Sequence, residues 1–517
     1  MKNKYLYITL LAVLGLTPEA MAQNNIKFAP RLVVSITIDQ LRTDYMEAFA
    51  PLYGEGGFKR LMEKGLVFTN SSYPFTPIDR ASAVASVGTG VSPYYHSIVG
   101  RRWLDRETLH SVYCLGGDNL SADNLLTSTI GDELKVSTDG NAKVFSISPF
   151  QDAAVLGAGH AADGAFWIDE QTGKWVTTPY YNAGQPPVWL TIHNDQHAPG
   201  KNKKFNWDPL IELAGNFNYF QHITNTGKPF KHQFTTSKGY GEFITSGLVN
   251  AYVTGLAYDC LVRESMGSDR VTDYLAINYY AGTFNHAPMS ECQFELQDTY
   301  MRLDRELAYL ITSIENAVGA EHVLFVVTST GYSDIETTDY EKYRIPTGTF
   351  YMNRTANLLN MYFGAIWGQG RYVETCFRNQ MFLNHQLLES KRVSLTDACQ
   401  RAQEFLALMS GVRNVYSGLQ LLASTSAHTQ KVRNGYNPNR CGDILIEVSP
   451  GWKLYNEDNQ DTQLSRASFI QFPIIFYGAD VKAERVSDHV TVDRIAPTIA
   501  KSIRIRAPNA CSMAPLF

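Results

Sequence analysis

Leu32-Val33-Val34-Ser35-Ile36-Thr37-Ile38-Asp39 is a near-continuous β-branched run that stops on a carboxylate. A run of that kind reads as a strand buried on both faces, the type found in parallel sheets beneath helices. Open α/β sheets bind their ligands outside the carboxyl ends of the strands. Asp39 therefore stands where a site would form.

Outward from this strand, the pattern alternates. A strand is expected at 66–68, and a helix begins at Arg80 with Asp79 as its N-cap and Gly88 and Gly90 closing it. Further strands are expected at 142–148, 274–280, 323–327, 444–448 and 473–477, with helices around 396–409 and 495–503. Leu296, Tyr300, Leu303, Leu307, Leu310, Ile311 and Ile314 form a helical apolar stripe. Strands alternating with helices argue for an α/β core. Two aromatic, Asn-, Gly- and Pro-rich stretches, about 101–270 and 335–430, read as insertions capping the sheet's edge.

Residues 1–22 read as a signal peptide: Lys2 and Lys4, an apolar run over 5–16, and Ala20-Met21-Ala22 before Gln23. Cleavage near Ala22/Gln23 predicts a periplasmic or secreted protein, with residues 23–517 as the mature domain. No later run approaches the roughly 18 apolar residues of a membrane span. A net charge of −5 gives no general attraction to nucleic acid. Seven scattered cysteines without a CxxC pair indicate neither a disulfide framework nor a zinc–thiolate site.

Several ordered landmarks carry a family resemblance: Ile38-Asp39-Gln40-Leu41-Arg42, Tyr53-Gly54-Glu55-Gly56-Gly57-Phe58, Asp298-Thr299-Tyr300-Met301-Arg302-Leu303-Asp304-Arg305, Asn434-Gly435-Tyr436-Asn437 and Ile495-Ala496-Pro497-Thr498. On these, nearly the whole chain resembles the alkaline phosphatase superfamily. The branch is that of secreted bacterial alkaline phosphatases related to type I phosphodiesterases and nucleotide pyrophosphatases. The resemblance implies a three-layer α/β sandwich with a mixed, mostly parallel central sheet and two capping insertions. In active members two zinc ions activate a Thr or Ser nucleophile and clamp the attacking and leaving oxygens.

Carried over residue by residue, the resemblance implies that this chemistry is absent. Asp39 is the one matching ligand position. The nucleophile position falls on Arg80, the Asp-xxx-His motif on Thr283 and Ala287 with His286 one residue out of register, and the Asp-His pair on Ser329 and Thr330. The late His falls on Gln471, and the phosphate-holding Asn and Lys-x-Arg fall on Arg101, Phe150 and Asp152. Arg80 is expected to reach Asp39 and stand in the vacated metal position, as a structural salt bridge or, with Arg101 and Arg102, as an anion-binding group. No cofactor is expected.

The expected function is a catalytically inactive phosphatase homologue that binds an unknown protein or anionic small molecule in the cell envelope. The alternative is a divergent, zinc-dependent phosphomonoesterase or phosphodiesterase, with Thr76 as fallback nucleophile and Ser82 or Ser86 behind it. A third reading is a structural subunit of an envelope assembly. His193 and His197 have the i, i+4 spacing of a helical metal site. Their Asn-, Gln-, Pro- and Gly-rich surroundings favour a solvated loop. His160 is expected to be packed and hydrogen-bonded.

Overall fold

The computed structural model describes residues 28–181, 184–201, 204–211, 230–235, 239–334, 339–423, 425–458, 460–465 and 470–517. The expected signal peptide lies outside them. Among the described residues a nine-stranded sheet forms the centre. Its strands are β1 (Leu32–Asp39), β2 (Leu66–Phe68), β3 (Val144–Ile147), β4 (Gly164–Ile168), β5 (Trp175–Val176), β6 (Asp273–Tyr280), β7 (Val323–Ser329), β8 (Ile474–Gly478) and β9 (Glu484–Val486). They lie in the order β9-β2-β8-β7-β1-β6-β3-β4-β5.

β1 is flanked by β6 and β7, both parallel to it, and all eight of its residues are buried. β6–β3, β3–β4 and β2–β9 are also parallel, while β8 runs antiparallel to β7 and β2, and β5 to β4. The sheet is therefore mixed and mostly parallel. The register pairs Asp39 with Tyr280 and Ile38 with Ser329, so three strands end together at one edge.

The helices around the sheet are α1 (Arg80–Thr89), α2 (Gln151–Ala158), α3 (Val188–His197), α4 (Val249–Arg263), α5 (Met289–Val318) and α6 (Ile495–Ile503). Successive side chains of a strand point to opposite faces. In β6, Ala276 lies beneath Gly157 of α2, whereas the Tyr279 hydroxyl meets Thr254 of α4 at 2.9 Å. The parity of 276 and 279 places α2 and α4 on opposite faces. α1 packs with α2, α6 with α1, and α5 with α4, which completes three layers.

Asp79 caps α1 in a reciprocal box with Ser82, and Gly90 ends the helix in the left-handed region at φ 69°. The landmark glycines serve packing. Asp304 accepts the amides of Gly54 and Phe58, both at 2.8 Å, and a Cβ on Gly57 would strike that carboxylate.

Two expected boundaries shift. The stretch 101–270 is not simply a cap, because β3, β4 and β5 belong to the central sheet and α2 and α4 cover it. The strand expected at 142–148 is present as β3, while loops rich in Asn and Gly masked the short strands β4 and β5 beside it. The second insertion extends past 430. Strands Val373–Phe377, Gln380–Leu383, Val412–Ser417 and Ile444–Val448 form a separate four-stranded sheet with its own apolar core.

Candidate functional site

The carboxyl edge of β1, β6 and β7 carries a buried charge cluster. Asp39 ends β1, Arg80 opens α1, and Asp152 lies in the first turn of α2; none is more than 4% exposed. Arg80 donates from Nε to Asp152 Oδ1 at 3.1 Å and holds the same oxygen from Nη2 at 3.0 Å. Its Nη1 reaches Asp39 Oδ2 at 3.3 Å. The expected pairing with Asp39 is present, and Asp152 is the nearer partner. Arg101 Nε stands 3.1 Å from Asp152 Oδ2, an ion pair without hydrogen-bond alignment. The Arg80 guanidinium also lies 3.6 Å over the Phe150 ring.

A cation at a helix N-terminus opposes the helix dipole. The two carboxylates reverse that balance. Burial works against the Arg80 charge, but Asp152 and Asp39 outweigh it and hold its pKa well above the ordinary value. Burial likewise pushes Asp152 up, yet Arg80 and Arg101 carry it below the ordinary carboxylate range. At Asp39 burial wins, and the pKa is raised despite Arg80, Thr330 and Tyr332. Arg80 and Asp152 form the stronger charge pair.

The remaining valences of Asp39 go to hydroxyls. Thr330 Oγ1 donates to Oδ1 at 2.9 Å, and the Tyr332 hydroxyl donates to Oδ2 at 3.3 Å. Ser329 Oγ turns away to Leu41 O at 2.8 Å, and Thr283 is buried. Gln471 is exposed and accepts the Thr43 amide through its carbonyl. His286 Nδ1 lies 2.9 Å from Asp334 Oδ2, which also accepts Gln40 Nε2 at 2.7 Å. Zinc needs several anionic or imidazole donors converging on it. Among the described residues, no three His, Cys, Asp or Glu side chains gather closely enough to hold a metal ion. A guanidinium 3.3 Å from Asp39 would also repel a dication there. The donor set does not fit the family's two-zinc centre.

Arg101 and Arg102 line a cleft of about 460 Å³ above the cluster, with Tyr113, Trp167, Asp169 and Glu170. The structure thus brings Arg80 and Arg101 together through Asp152 and leaves Arg102 on the cleft wall. Thr76 sits in the loop before α1, where its amide donates to Lys431 O. Ser82 is spent on the α1 cap. Ser86 has a neighbour that sequence reading missed: His96 Nε2 lies 2.9 Å from its Oγ, both wholly buried. The Ile98 amide donates to His96 Nδ1 at 3.1 Å, so the ring proton is on Nε2 and points at Ser86. That tautomer cannot take the serine proton. Burial lowers the His96 pKa to about 3.

His160 is packed as expected, between Asp132 and Leu125 O at 2.8 Å each. The expectation for 193–197 is overturned, because these residues form the last turns of α3. Tertiary contacts outweigh weak local propensity here. Trp189 donates to Glu264 at 2.6 Å, Asn194 bonds both backbone groups of Trp175, and His193 binds Asp259. All seven cysteines are free thiols.

Asp152 and Tyr332 were missed as partners of Arg80 and Asp39. A signal existed for Asp152: the resemblance sets it at a phosphate-holding arginine position and Arg80 at the nucleophile position, so a new acid and a new base enter one cleft together.

The three-layer sandwich and the placement of Asp39 define an alkaline phosphatase superfamily protein. Residues 33–469 match the type I phosphodiesterase / nucleotide pyrophosphatase family, and the chain belongs to that family. It is 26% identical over 509 residues to alkaline phosphatase PhoV of Synechococcus elongatus, covering 93% of this chain and 91% of that protein. It is also 26% identical over 514 residues to alkaline phosphatase PafA of Elizabethkingia meningoseptica, covering 94% of each. The crystal structure of wild-type PafA superposes with a TM-score of 0.79, covering 94% of this chain and 98% of that one. Among the described residues no helix is long and apolar enough to cross a membrane.

Proposed function

We propose that this chain is a catalytically inactive alkaline phosphatase homologue that uses its former active-site cleft for binding. The observation that carries this reading is Arg80, at the position the family gives to its nucleophile, bridging Asp39 and Asp152 inside the protein. A guanidinium cannot attack phosphorus. Its presence also consumes the one carboxylate that matches the metal centre. Arg101, half exposed and ion-paired to Asp152 without a hydrogen bond to it, and Arg102, exposed, are the cations a ligand can reach. An anionic small molecule or acidic partner group is the fitting class, since arginine forks suit carboxylate and phosphate. The N-terminal residues 1–22 support an exported protein, which places such a partner in the cell envelope.

The test is turnover of an aryl phosphate monoester and diester, with and without added zinc. The reading predicts no rate above a protein-free control. It also predicts that inorganic phosphate or a polyanion binds wild type more tightly than Arg102→Ala. Turnover that requires zinc and disappears in Asp39→Asn contradicts it.

A divergent hydrolase is the second reading, and it draws on His286 and Asp334, which hydrogen-bond beside Gln40. That reading predicts zinc-dependent turnover lost in Asp334→Asn.

A further inference from the structure

The Asp39 cluster leaves unused one motif, the histidine pair of α3. We propose that His193 and His197 form a two-imidazole site for a late first-row divalent metal ion, with Asp259 of α4 positioning the first ring.

His193 is only 3% exposed, yet its Nε2 has no hydrogen-bond partner among the described residues. Buried polar nitrogens are nearly always paired, so an unmatched one asks for an explanation. The other ring nitrogen is committed: Nδ1 lies 2.7 Å from Asp259 Oδ2. A carboxylate at Nδ1 fixes the proton there and leaves the Nε2 lone pair bare. This is the arrangement that metal-ligating histidines use, with an outer carboxylate orienting the ring and raising its basicity.

His197 stands one helical turn on and is exposed. The two ring centres are 5.4 Å apart with planes tilted by 56°. A metal–nitrogen bond of about 2.1 Å puts each ring centre roughly 3.3 Å from a shared ion, and a tetrahedral angle then separates the centres by roughly 5.3 Å. The observed spacing fits. The pair also lies in the last turns of α3, where the negative end of the helix dipole favours a cation. Two imidazoles select Cu(II), Ni(II) or Zn(II) over Mg(II) and Ca(II), with Cu(II) bound tightest, and solvent completes the coordination.

The experiment titrates tag-free, chelator-stripped protein with Cu(II) at neutral pH, following affinity by competition and nitrogen count by electron paramagnetic resonance. Wild type is expected to bind with a two-nitrogen signature. His197→Ala, an exposed change that spares folding, is expected to lose one nitrogen and weaken binding at least ~10-fold, while Asp259→Asn keeps two nitrogens but weakens binding about 10- to 100-fold. His110→Ala, which removes an exposed histidine of another segment, is expected to bind as wild type, which separates this site from adventitious surface imidazoles. Absence of saturable binding, or an unchanged signature in His197→Ala, overturns the proposal. Unchanged affinity in Asp259→Asn overturns the positioning role.

Discussion

Two arginine–aspartate clusters hold this molecule together, and they differ in where their charges sit. In the first, Arg80 lies between Asp39 and Asp152 with every charged end inside the protein. In the second, Arg106 grips both oxygens of Asp443 at 2.9 and 3.2 Å, with His385 on the same carboxylate at 3.0 Å. Arg106 and His385 remain partly solvated. This second cluster ties the loop after the cleft arginines to the cap. The residue types are the same, and the physics is not. Removing Arg80 strands two buried charges, whereas removing Arg106 leaves the buried Asp443 carboxylate with His385 and the Leu383 amide. The first cluster is a buried charge lock at the sheet's carboxyl edge. The second is an ordinary domain clasp.

Arg80→Ala should bring out the difference most strongly. It leaves Asp39 and Asp152 buried without their shared cation and is expected to cost about 3–5 kcal/mol in denaturant unfolding. The triple change Asp39→Asn, Arg80→Met, Asp152→Asn removes every charge together and should recover most of that loss. Failure to recover would mean that the cluster is more than a charge lock. Asp152→Asn ranks next, at about 2–3 kcal/mol, because one carboxylate serves two guanidiniums. Its pH signature has a definite sign. The folded pKa of Asp152 lies below its ordinary 3.8, so its stabilisation is present above that value and is lost as pH falls through the folded pKa. Asp152→Asn should flatten this part of the acid limb.

His96 gives the next effect, at a higher pH. Its pKa falls from 6.5 to about 3 on folding, so the unfolded chain binds the extra proton between those values. Stability should therefore drop as pH falls below 6.5, by up to about 1.4 kcal/mol per pH unit. In His96→Asn that slope should be absent from unfolding curves taken between pH 6.5 and 4.

The clasp gives the smallest effect. Arg106→Ala is expected to cost about 1 kcal/mol, since Asp443 keeps the Leu383 amide and His385 and its partners are partly wet. A loss as large as that of Arg80→Ala would erase the distinction between the two clusters.

The buried half of this comparison was largely legible in the sequence, and the reason is local. The β-branched run 32–38 can only be a covered strand, Asp79 and Ser82 announce the start of α1, and the short ungapped path from Phe68 to Gly90 sets Arg80 against Asp39. What stayed hidden was joined by the fold rather than the chain. Asp152 is 72 residues from Arg80, and Tyr332 is 293 from Asp39. The α3 helix was hidden for the same reason. Its sequence is a poor helix former, and the side chains that hold it, Glu264 and Asp259, arrive from α4 and its end. The strand at 142–148 is legible, but its place in the central sheet and the short strands β4 and β5 are not, because the surrounding loops dominate the composition.

The proposed inactivity rests on Arg80 standing in place of metal-assisted catalysis at Asp39. Its most direct test is hydrolysis of an aryl phosphate monoester by purified wild type and Asp39→Asn in excess zinc. The claim predicts that neither exceeds the protein-free rate. Zinc-dependent turnover by wild type that Asp39→Asn abolishes would contradict it.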